Sequence, residues 1–495
     1  MLVFYVNLFK NFPMKKVLNI TCPTYLILFL VLIFISCKKS NSQPISHLLP
    51  EAQGTTLQLQ VDDKHPGVSI APDFLGLSFE MSAITDSNYF NTSSTSFVEL
   101  IKNLSPGILR IGANAVDKTF WTGQKRTALT PKDSITTTDI DRFKFFINAI
   151  QWKVIFGLNC GGKFNPAIAA QEAAYVNSAL PLLLQSFEVG NEADLYSRNG
   201  MRSTSYKIND FINEWGQYYL AVKNSVPGAN FSGGAFAYNQ QWLSTFVGQE
   251  SSKINLATIH FYQTGPGTDP SITINSLLSA KADSAISKFA DAIALIASGV
   301  QLPYRIAECN SIYGGGKGDV SNTFAAALWA IDYQFRLAYS GCKGINFHGG
   351  NNGPYTPIGY ANGLFFAKPE YYSMLFFKEA AKGNLLPNSL QNLGLNVTTY
   401  ASKASDGTTY ISILNKEAQT AVSINVQTGI TAQTVTLAPL TAPGLSSATG
   451  LMFAGKQLQD NGQLTSGLLD IYTVNANHFT VNVPAASAML VTIHP

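Results

Sequence analysis

Between residues 71 and 388 the sequence alternates short apolar runs with longer segments of helical spacing. The runs predicted as strands are 74–80, 107–112, 154–158, 184–190, 230–234, 256–260, 304–308 and 344–348. The predicted helices are 97–104, 138–151, 166–179, 207–225, 281–298 and 321–339. A doubly wound sheet fits the alternation as well. The count of eight strands, with acids ending the first, fourth and seventh, favours an α/β fold of the (β/α)₈ barrel type.

From residue 389 to 495 the pattern changes to short alternating strands, which predicts an all-β sandwich. Expected strands lie near 397–400, 410–414, 421–426, 433–438, 451–454, 478–483 and 488–493. Asp406-Gly407 between the first two is a hairpin signal. An alternating run at 57–61, within a segment spanning 55–70, precedes the barrel strands and is predicted to join this sandwich.

Besides the first run, which ends on Glu80, the fourth and seventh barrel runs each lead to a glutamate. Phe-Glu-Val-Gly-Asn-Glu ends on Glu192, and Tyr-Arg-Ile-Ala-Glu ends on Glu308. Catalytic groups of such barrels lie at the C-terminal ends of the strands, so the two carboxylates are expected to meet there. Cleavage of a glycosidic bond needs two carboxyl groups, one to protonate the leaving oxygen and one to attack or to activate water. The pattern therefore predicts a glycosidase.

The first 36 residues have the layout of a signal peptide. Lys15 and Lys16 precede an uncharged apolar run, 24–36, which is too short to favour a transmembrane helix. A small residue before Cys37 at the end of this run is typical of a bacterial lipoprotein cleavage site. We therefore expect a lipidated Cys37.

The expected product is an exported lipoprotein of the outer membrane, on its periplasmic or cell-surface face. Its lipid anchor would be followed by a polar tether at 37–54. Met14 is an alternative start, because Met-Lys-Lys is an ordinary beginning for a signal peptide. A plain signal peptide and an uncleaved anchor are the alternatives to lipidation.

Charge and cysteine content exclude some classes of partner. The chain has 33 basic and 30 acidic residues, and removal of residues 1–36, which hold three lysines and no acid, leaves 30 of each. A neutral chain does not favour a nucleic-acid partner or a broad cationic groove. Cys160, Cys309 and Cys342 match no zinc spacing and are expected to be buried, although a disulfide between two of them stays open.

Four motifs together resemble glycoside hydrolase family 79, which holds β-glucuronidases and heparanase. They are Phe187–Glu192, Ile259-His-Phe-Tyr262, Ala307-Glu-Cys-Asn-Ser-Ile-Tyr-Gly-Gly-Gly316 and Pro369–Phe377. A Gly-Asn-Glu alone is found in many barrel glycosidases, whereas a glutamate followed five residues later by Tyr-Gly-Gly is more specific. The resemblance covers roughly residues 55–495. It implies a retaining mechanism on β-linked glucuronic acid.

The resemblance also implies roles for residues of these motifs. Glu192 would be the acid/base, Glu308 the nucleophile, and Asn191 a hydrogen-bond partner of the sugar 2-hydroxyl. Tyr262, near His260, would hold Glu308 ionised, with aromatic packing at the barrel mouth as the alternative. Separately, a buried Arg110 inside the second strand needs a partner, and we expect a structural ion pair with Glu188.

Recognition of the sugar carboxylate is expected just after the nucleophile. By resemblance the carboxylate would be held by Tyr313, Gly314, Gly315 and Tyr355. Glycines let backbone N–H groups approach an anion, although the run Gly314–Gly316 also reads as a flexible loop. Glu80 at the end of the first strand would contact sugar hydroxyls. Asn114 and Asp117, after the second strand, are weaker candidates.

The leading hypothesis is a retaining exo-β-glucuronidase acting on glucuronic acid, with or without a 4-O-methyl group. An endo-acting, heparanase-like enzyme is the second hypothesis, and a non-catalytic glycan-binding surface lipoprotein is the third. Another barrel glycosidase, such as a β-glucosidase or arabinofuranosidase, also stays open. Since no phosphate loop, metal cluster or nucleotide motif is found, we predict no cofactor.

Overall fold

The computed structural model describes residues 46–162, 164–349, 352–465 and 469–494. Within this part of the chain, eight parallel strands close into a barrel in chain order. They are β1 (Gly76–Glu80), β2 (Ile108–Gly112), β3 (Lys153–Leu158), β4 (Leu184–Val189), β5 (Phe231–Phe236), β6 (Leu256–Thr264), β7 (Tyr304–Ile312) and β8 (Ile345–Gly349). The predicted signal peptide and Cys37 lie outside the described residues.

A helix follows each barrel strand and covers it from outside. These helices are α1 (Thr95–Asn103), α2 (Thr137–Ile150), α3 (Pro166–Ala179), α4 (Ile208–Ser225), α5 (Gln240–Glu250), α6 (Ala280–Gly299), α7 (Phe324–Tyr339) and α8 (Pro369–Ala380). The sequence prediction omitted α5 and α8, and in α5 polar residues and a glycine weaken the helical pattern. Asn239 caps the start of α5, because its side chain accepts a hydrogen bond from the N–H of Trp242.

Short elements complete the loops around the barrel. They are the helical turns Ala113–Val116 and Ile274–Leu277, the 3₁₀ turns Met81–Thr85, Ala193–Leu195 and Ser251–Lys253, and the strand pairs Phe120–Trp121 with Ser134–Ile135 and Ile358–Ala361 with Leu364–Ala367. Among the described helices, none has the length and hydropathy needed to cross a membrane.

Two barrel strands are longer than their apolar runs suggest. The run ending on Glu308 continues as strand to Ile312, and β6 continues past His260 to Thr264. The register between β6 and β7 shifts at Ile259/His260, and that between β7 and β8 shifts after Ile306. The expectation that the seventh strand stops on its glutamate is therefore wrong. Glu308 lies within this strand, just after a shift in strand register, and such irregularities change the direction of the side chains that follow.

The barrel is filled and covered by apolar side chains. Strand residues such as Leu77, Ile111 and Phe347 are fully buried in one continuous cluster with the inner faces of the helices. The three cysteines of the described residues, Cys160, Cys309 and Cys342, are buried and free. Their expected packing role is confirmed, and the disulfide alternative is wrong.

In the described chain, the remaining β-structure forms one ten-stranded sheet around a second core. Its strands are Ser46–Leu48, Thr55–Val61, Asn384–Leu386, Asn388–Gln391, Val397–Lys403, Thr409–Asn415, Val422–Thr441, Met452–Phe453, Ile471–Val483 and Ser487–His494. Thr55–Val61 pairs with Asn388–Gln391 and with the start of Val422–Thr441, so the predicted N-terminal contribution is confirmed.

The strand Val422–Thr441 replaces two strands that the sequence predicts separately. Gly429 in its middle reads as a turn signal, but its N–H donates to Asp63 Oδ1 and the register shifts there. The strand pairs with Thr55–Val61 in its first half and with Ser487–His494 in its second half. Residues Ser46–Leu48, expected in the tether, pair with Ile471–Val483.

A buried lysine joins this sheet to the barrel helices. Lys416 Nζ lies 2.7 Å from Asp283 Oδ2 on α6 and 2.6 Å from Asp332 Oδ2 on α7. Tyr400 and Thr398 donate to the other oxygen of Asp332 at 2.6 and 2.7 Å. Burial alone would lower the pKa of Lys416, but Asp332 and Asp283 raise it, so the lysine is charged.

Replacement of Lys416 by alanine should destabilise the protein, because buried Asp332 loses its ion-pair partner and Asp283 keeps only its 3.1 Å ion pair with Arg336. We expect a loss of about 3–5 kcal/mol in the free energy of unfolding, measured with denaturant. Lys382→Ala is the matched control, since its ion pair with Glu379 is 3.7 Å long and partly exposed. The control should cost less than about 1 kcal/mol. Equal losses for both variants would contradict the assigned role of Lys416.

Candidate active site

Glu192 and Glu308 face the same space at the C-terminal end of the barrel. Glu192 follows β4 in a left-handed conformation with φ 51°, and its N–H donates to Ala235 O at 2.8 Å. A carboxylate oxygen of Glu192, one of Glu308 and a ring nitrogen of His260 all lie within 4.8 Å of one another. Retaining glycosidases hold their carboxyl groups about 5–5.5 Å apart, whereas inverting enzymes need about 6.5–9.5 Å. The separation fits retention.

Glu308 is held as a carboxylate by donors on both oxygens. Arg110 Nη1 donates to Oε2 at 2.8 Å, and the Tyr262 hydroxyl donates to Oε1 at 2.8 Å. Burial alone would raise the pKa of Glu308. Charge interactions with His348, His260 and Arg110, together with the Tyr262 hydrogen bond, outweigh burial and lower that pKa to about 2. The expected Tyr262–Glu308 hydrogen bond is confirmed.

Arg110 connects the core to the site. Its Nε donates to Glu188 Oε2 at 2.6 Å, so the predicted ion pair is confirmed. The same guanidinium also reaches Glu308 and donates from Nη2 to Asn191 Oδ1 at 2.9 Å. The Thr258 hydroxyl donates to the other oxygen of Glu188, Oε1, at 2.6 Å. Arg110 therefore touches the site directly, which its position inside a strand did not indicate.

The side chain of Asn191 has a fixed orientation. Because Arg110 donates to its oxygen, its Nδ2 points the other way and donates to Asn114 Oδ1 at 3.4 Å. Its backbone N–H donates to Asp117 Oδ2 at 3.1 Å. Asp117 also accepts from Tyr196 at 2.7 Å, and burial raises the pKa of Asp117 to about 6. Asp117 thus fixes the position of the Asn191 backbone.

Glu192 is the more accessible carboxylate, with 14% of its side chain exposed against 5% for Glu308. His260 Nδ1 lies 2.9 Å from Glu192 Oε1. The His260 ring is fully buried, and its Nε2 has no hydrogen-bond partner among the described residues. The histidine therefore directs its polar edge at Glu192.

A cavity of about 1010 Å³ opens over the two glutamates. Most predicted site residues line it: Glu80, Asn114, Glu192, Tyr262, Glu308, Tyr313, Gly314, Gly315 and Tyr355. Asn191 and His260 are buried behind this surface. The cavity is larger than a single sugar needs, so it has room for part of a leaving group.

The glycine run after β7 adopts a conformation that favours glycine. Gly314, Gly315 and Gly316 have φ of 80°, 99° and 92°. A Cβ on Gly316 would lie 2.8 Å from the backbone nitrogen of Tyr355, so the two loops approach closely there. The phenol of Tyr313 is 46% exposed. These groups form one edge of the cavity.

The sequence prediction missed His348, although the eighth predicted strand ends on it. Its Nε2 lies 3.8 Å from Glu80 Oε1, and its Nδ1 lies 3.9 Å from Glu308 Oε2. Glu80 accepts from the N–H of Ala115 at 2.6 Å, and burial raises the pKa of Glu80. Arg198 and Tyr238, which also line the cavity, lie in loops without a motif.

The cluster of Glu192, His260 and Glu308 has the spacing of three metal ligands. Glu308, however, already accepts from a guanidinium and a phenol. Glu308 is therefore already paired with groups of the protein itself. This arrangement fits a carboxylate nucleophile better than a metal ligand.

Residues 89–334 match the family model "Glycosyl hydrolase family 79, N-terminal domain". These residues form a glycoside hydrolase family 79 N-terminal domain. A β-glucuronidase of Aspergillus niger is 24% identical over 62% of this chain and 63% of its own length. A β-glucuronidase of Neurospora crassa is 25% identical over 64% of each chain. The chain thus spans less than two thirds of the length of these curated relatives.

Among solved structures, a 4-O-α-L-rhamnosyl-β-D-glucuronidase from Fusarium oxysporum has the same fold. Its TM-score is 0.74 at 19% identity, and the alignment covers 91% of this chain and 100% of that one. The predicted barrel with an additional β-domain is therefore confirmed.

Arg110→Met should destabilise the protein in a pH-dependent way. In the native state the pKa of Glu308 is about 2, below its ordinary value of 4.5, so its ionised form stabilises the fold above pH 4.5 and this contribution is lost as the pH falls towards 2. Without Arg110, we expect a loss of about 3–5 kcal/mol at pH 7 that shrinks at pH 3.5, measured by denaturant unfolding.

Arg305→Met is the control for this experiment. Arg305 is equally buried but donates to Asn346 and to backbone carbonyls, not to a carboxylate. Its loss of stability should be similar at the two pH values. If Arg110→Met also showed no pH dependence, packing rather than charge would explain its effect.

Proposed function

We propose that this chain is a retaining exo-β-glucuronidase of family 79. It removes a terminal β-linked glucuronic acid, with or without a 4-O-methyl group, from glycans or glucuronides. The observation that carries the proposal is the pair Glu192 and Glu308, with oxygens within 4.8 Å at the base of a cavity. The relatives named β-glucuronidase support the same substrate class.

In the first half of the reaction, a Glu308 oxygen attacks the anomeric carbon while Glu192 donates its proton to the leaving oxygen. Arg110 and Tyr262 keep Glu308 ionised and aimed. In the second half, Glu192 takes a proton from water, which displaces Glu308 and restores both groups. His260, at 2.9 Å, fixes the orientation of Glu192 throughout.

The amide of Asn191 is placed to contact the sugar 2-hydroxyl. Arg110 holds its oxygen, so the NH₂ group is the part that faces Asn114 and the cavity side. The hydrogen bond from this NH₂ group to the sugar 2-hydroxyl would become stronger as charge develops in the transition state. Glu80, next to His348, would accept from the other hydroxyls.

The carboxylate of glucuronic acid would be bound at the edge formed by Tyr313, Gly314, Gly315 and Tyr355. The glycines expose successive backbone N–H groups, and the tyrosines add hydroxyl donors. A neutral glucoside would leave these donors without their anion. This edge is the proposed origin of specificity for a uronic acid.

Release of a terminal sugar is proposed over cleavage inside a sulfated chain. Among the described residues that line the cavity, Arg198 is the single lysine or arginine. A sulfated polymer would need several cations along the cleft. The proposed location, an outer-membrane lipoprotein anchored through Cys37, rests on the N-terminal sequence alone.

The test is hydrolysis of 4-nitrophenyl β-glucuronide and of the matched β-glucoside. The wild type should cleave the glucuronide with a kcat/KM at least about a hundredfold higher, because the site's donors pair only with the carboxylate. Glu308→Gln should lose at least about a thousandfold in kcat, since an amide cannot act as the nucleophile.

Glu379→Gln is the matched control, because Glu379 is half-exposed on α8 and makes only long ion pairs. It should retain wild-type activity. A preference for the glucoside would contradict the carboxylate edge but leave the two glutamates in their roles. Full activity of Glu308→Gln would contradict the proposed mechanism.

A further inference from the structure

The position of the two glutamates defines where the leaving group lies. The nucleophile attacks from the face opposite the leaving group, and the acid lies beside the leaving oxygen. Glu308 is on β7, whereas Glu192 follows β4, three strands away in the closed order of the barrel. The leaving group therefore departs towards the wall beyond Glu192. The loops after β4 and β5 supply this aglycone wall: Leu195, Arg198, Asn199, Ala237, Tyr238 and Gln240.

Arg198 is the cation of this wall, and it is uncommitted. The residue is exposed, and its guanidinium makes no hydrogen bond or ion pair with any other described residue. Other cationic side chains near the cavity already pair with groups of the protein. Arg110 is buried against Glu188 and Glu308, Lys317 donates to two backbone carbonyls, and Lys368 donates to that of Gly353.

Tyr238 gives the same wall an accessible aromatic side chain. It is 69% exposed although it lines the cavity, and no ring contact fixes it among the described residues. The carboxylates of the cavity, Glu80, Glu192 and Glu308, lie at its floor. An anionic group on a ligand would therefore be repelled from the floor and attracted to the aglycone wall.

We propose that Arg198 and Tyr238 form an aglycone subsite that selects a ring carrying one anionic group. The ring would pack on Tyr238, and its carboxylate or sulfate would pair with Arg198. The inference rests on the proposed glucuronidase function and extends it to the leaving residue. A single unpaired cation fits one anion and not a polyanionic chain.

The test uses two glucuronides that differ in one charge. In 4-carboxyphenyl β-D-glucuronide the leaving group carries an anion. In the matched compound this aryl carboxylate alone is a methyl ester, so the leaving group is neutral while the glucuronate carboxylate is kept. The quantity measured is the selectivity, defined as kcat/KM for the acid divided by kcat/KM for the ester. Comparing this ratio between variants cancels the intrinsic difference between the two leaving groups.

The selectivity of Arg198→Gln should be about five- to twentyfold lower than that of the wild type, because a charge-assisted hydrogen bond is lost. Arg198→Lys should retain part of it, and 0.5 M salt should reduce it in the wild type but not in Arg198→Gln. Lys281→Gln removes an exposed charge on α6, outside the cavity lining, and should leave the selectivity as in the wild type.

An unchanged selectivity in Arg198→Gln, with both glucuronides still cleaved, would overturn the subsite and leave the proposed function intact. An equal change in Lys281→Gln would overturn it as well, because the effect would then be one of net charge. Failure of the wild type to cleave either glucuronide would overturn both proposals.

Discussion

The guanidinium of Arg110 is the interaction on which the site depends. It is fully buried, and it donates to Glu188, Glu308 and Asn191, which lie on β4, on β7 and after β4. A buried charge of this kind is stable only when its partners are all in place. Closure of the barrel, ionisation of Glu308 and orientation of the Asn191 amide are therefore one linked arrangement.

Within this arrangement the two glutamates have different environments. Glu308 sits inside a strand, charged and nearly inaccessible, while Glu192 sits beyond its strand end, more exposed and beside His260. A nucleophile must stay ionised, and an acid/base must exchange protons with substrate and water. In the proposed mechanism, residues on different strands would meet these two conditions, as in other barrel enzymes.

The sequence was sufficient for the eight barrel strands, and most of the site residues that it predicts line the cavity, because apolar periodicity and the motifs are local signals. It was not sufficient where distant residues decide the outcome. The extension of β7 beyond Glu308 follows from its neighbours, and the continuous strand through Gly429 depends on Asp63. Likewise, Arg110 could be paired with Glu188 from burial, but its reach to Glu308 required the three-dimensional arrangement.

The central claim is that Glu308 forms a covalent bond with the sugar during the proposed reaction. The direct measurement is trapping with 2-deoxy-2-fluoro-β-D-glucuronyl fluoride, followed by digestion and mass spectrometry of the peptides. The account predicts one 2-deoxy-2-fluoroglucuronyl group on the peptide that contains Glu308. Modification of a different residue, or no adduct from an enzyme that hydrolyses glucuronides with inversion, would contradict it.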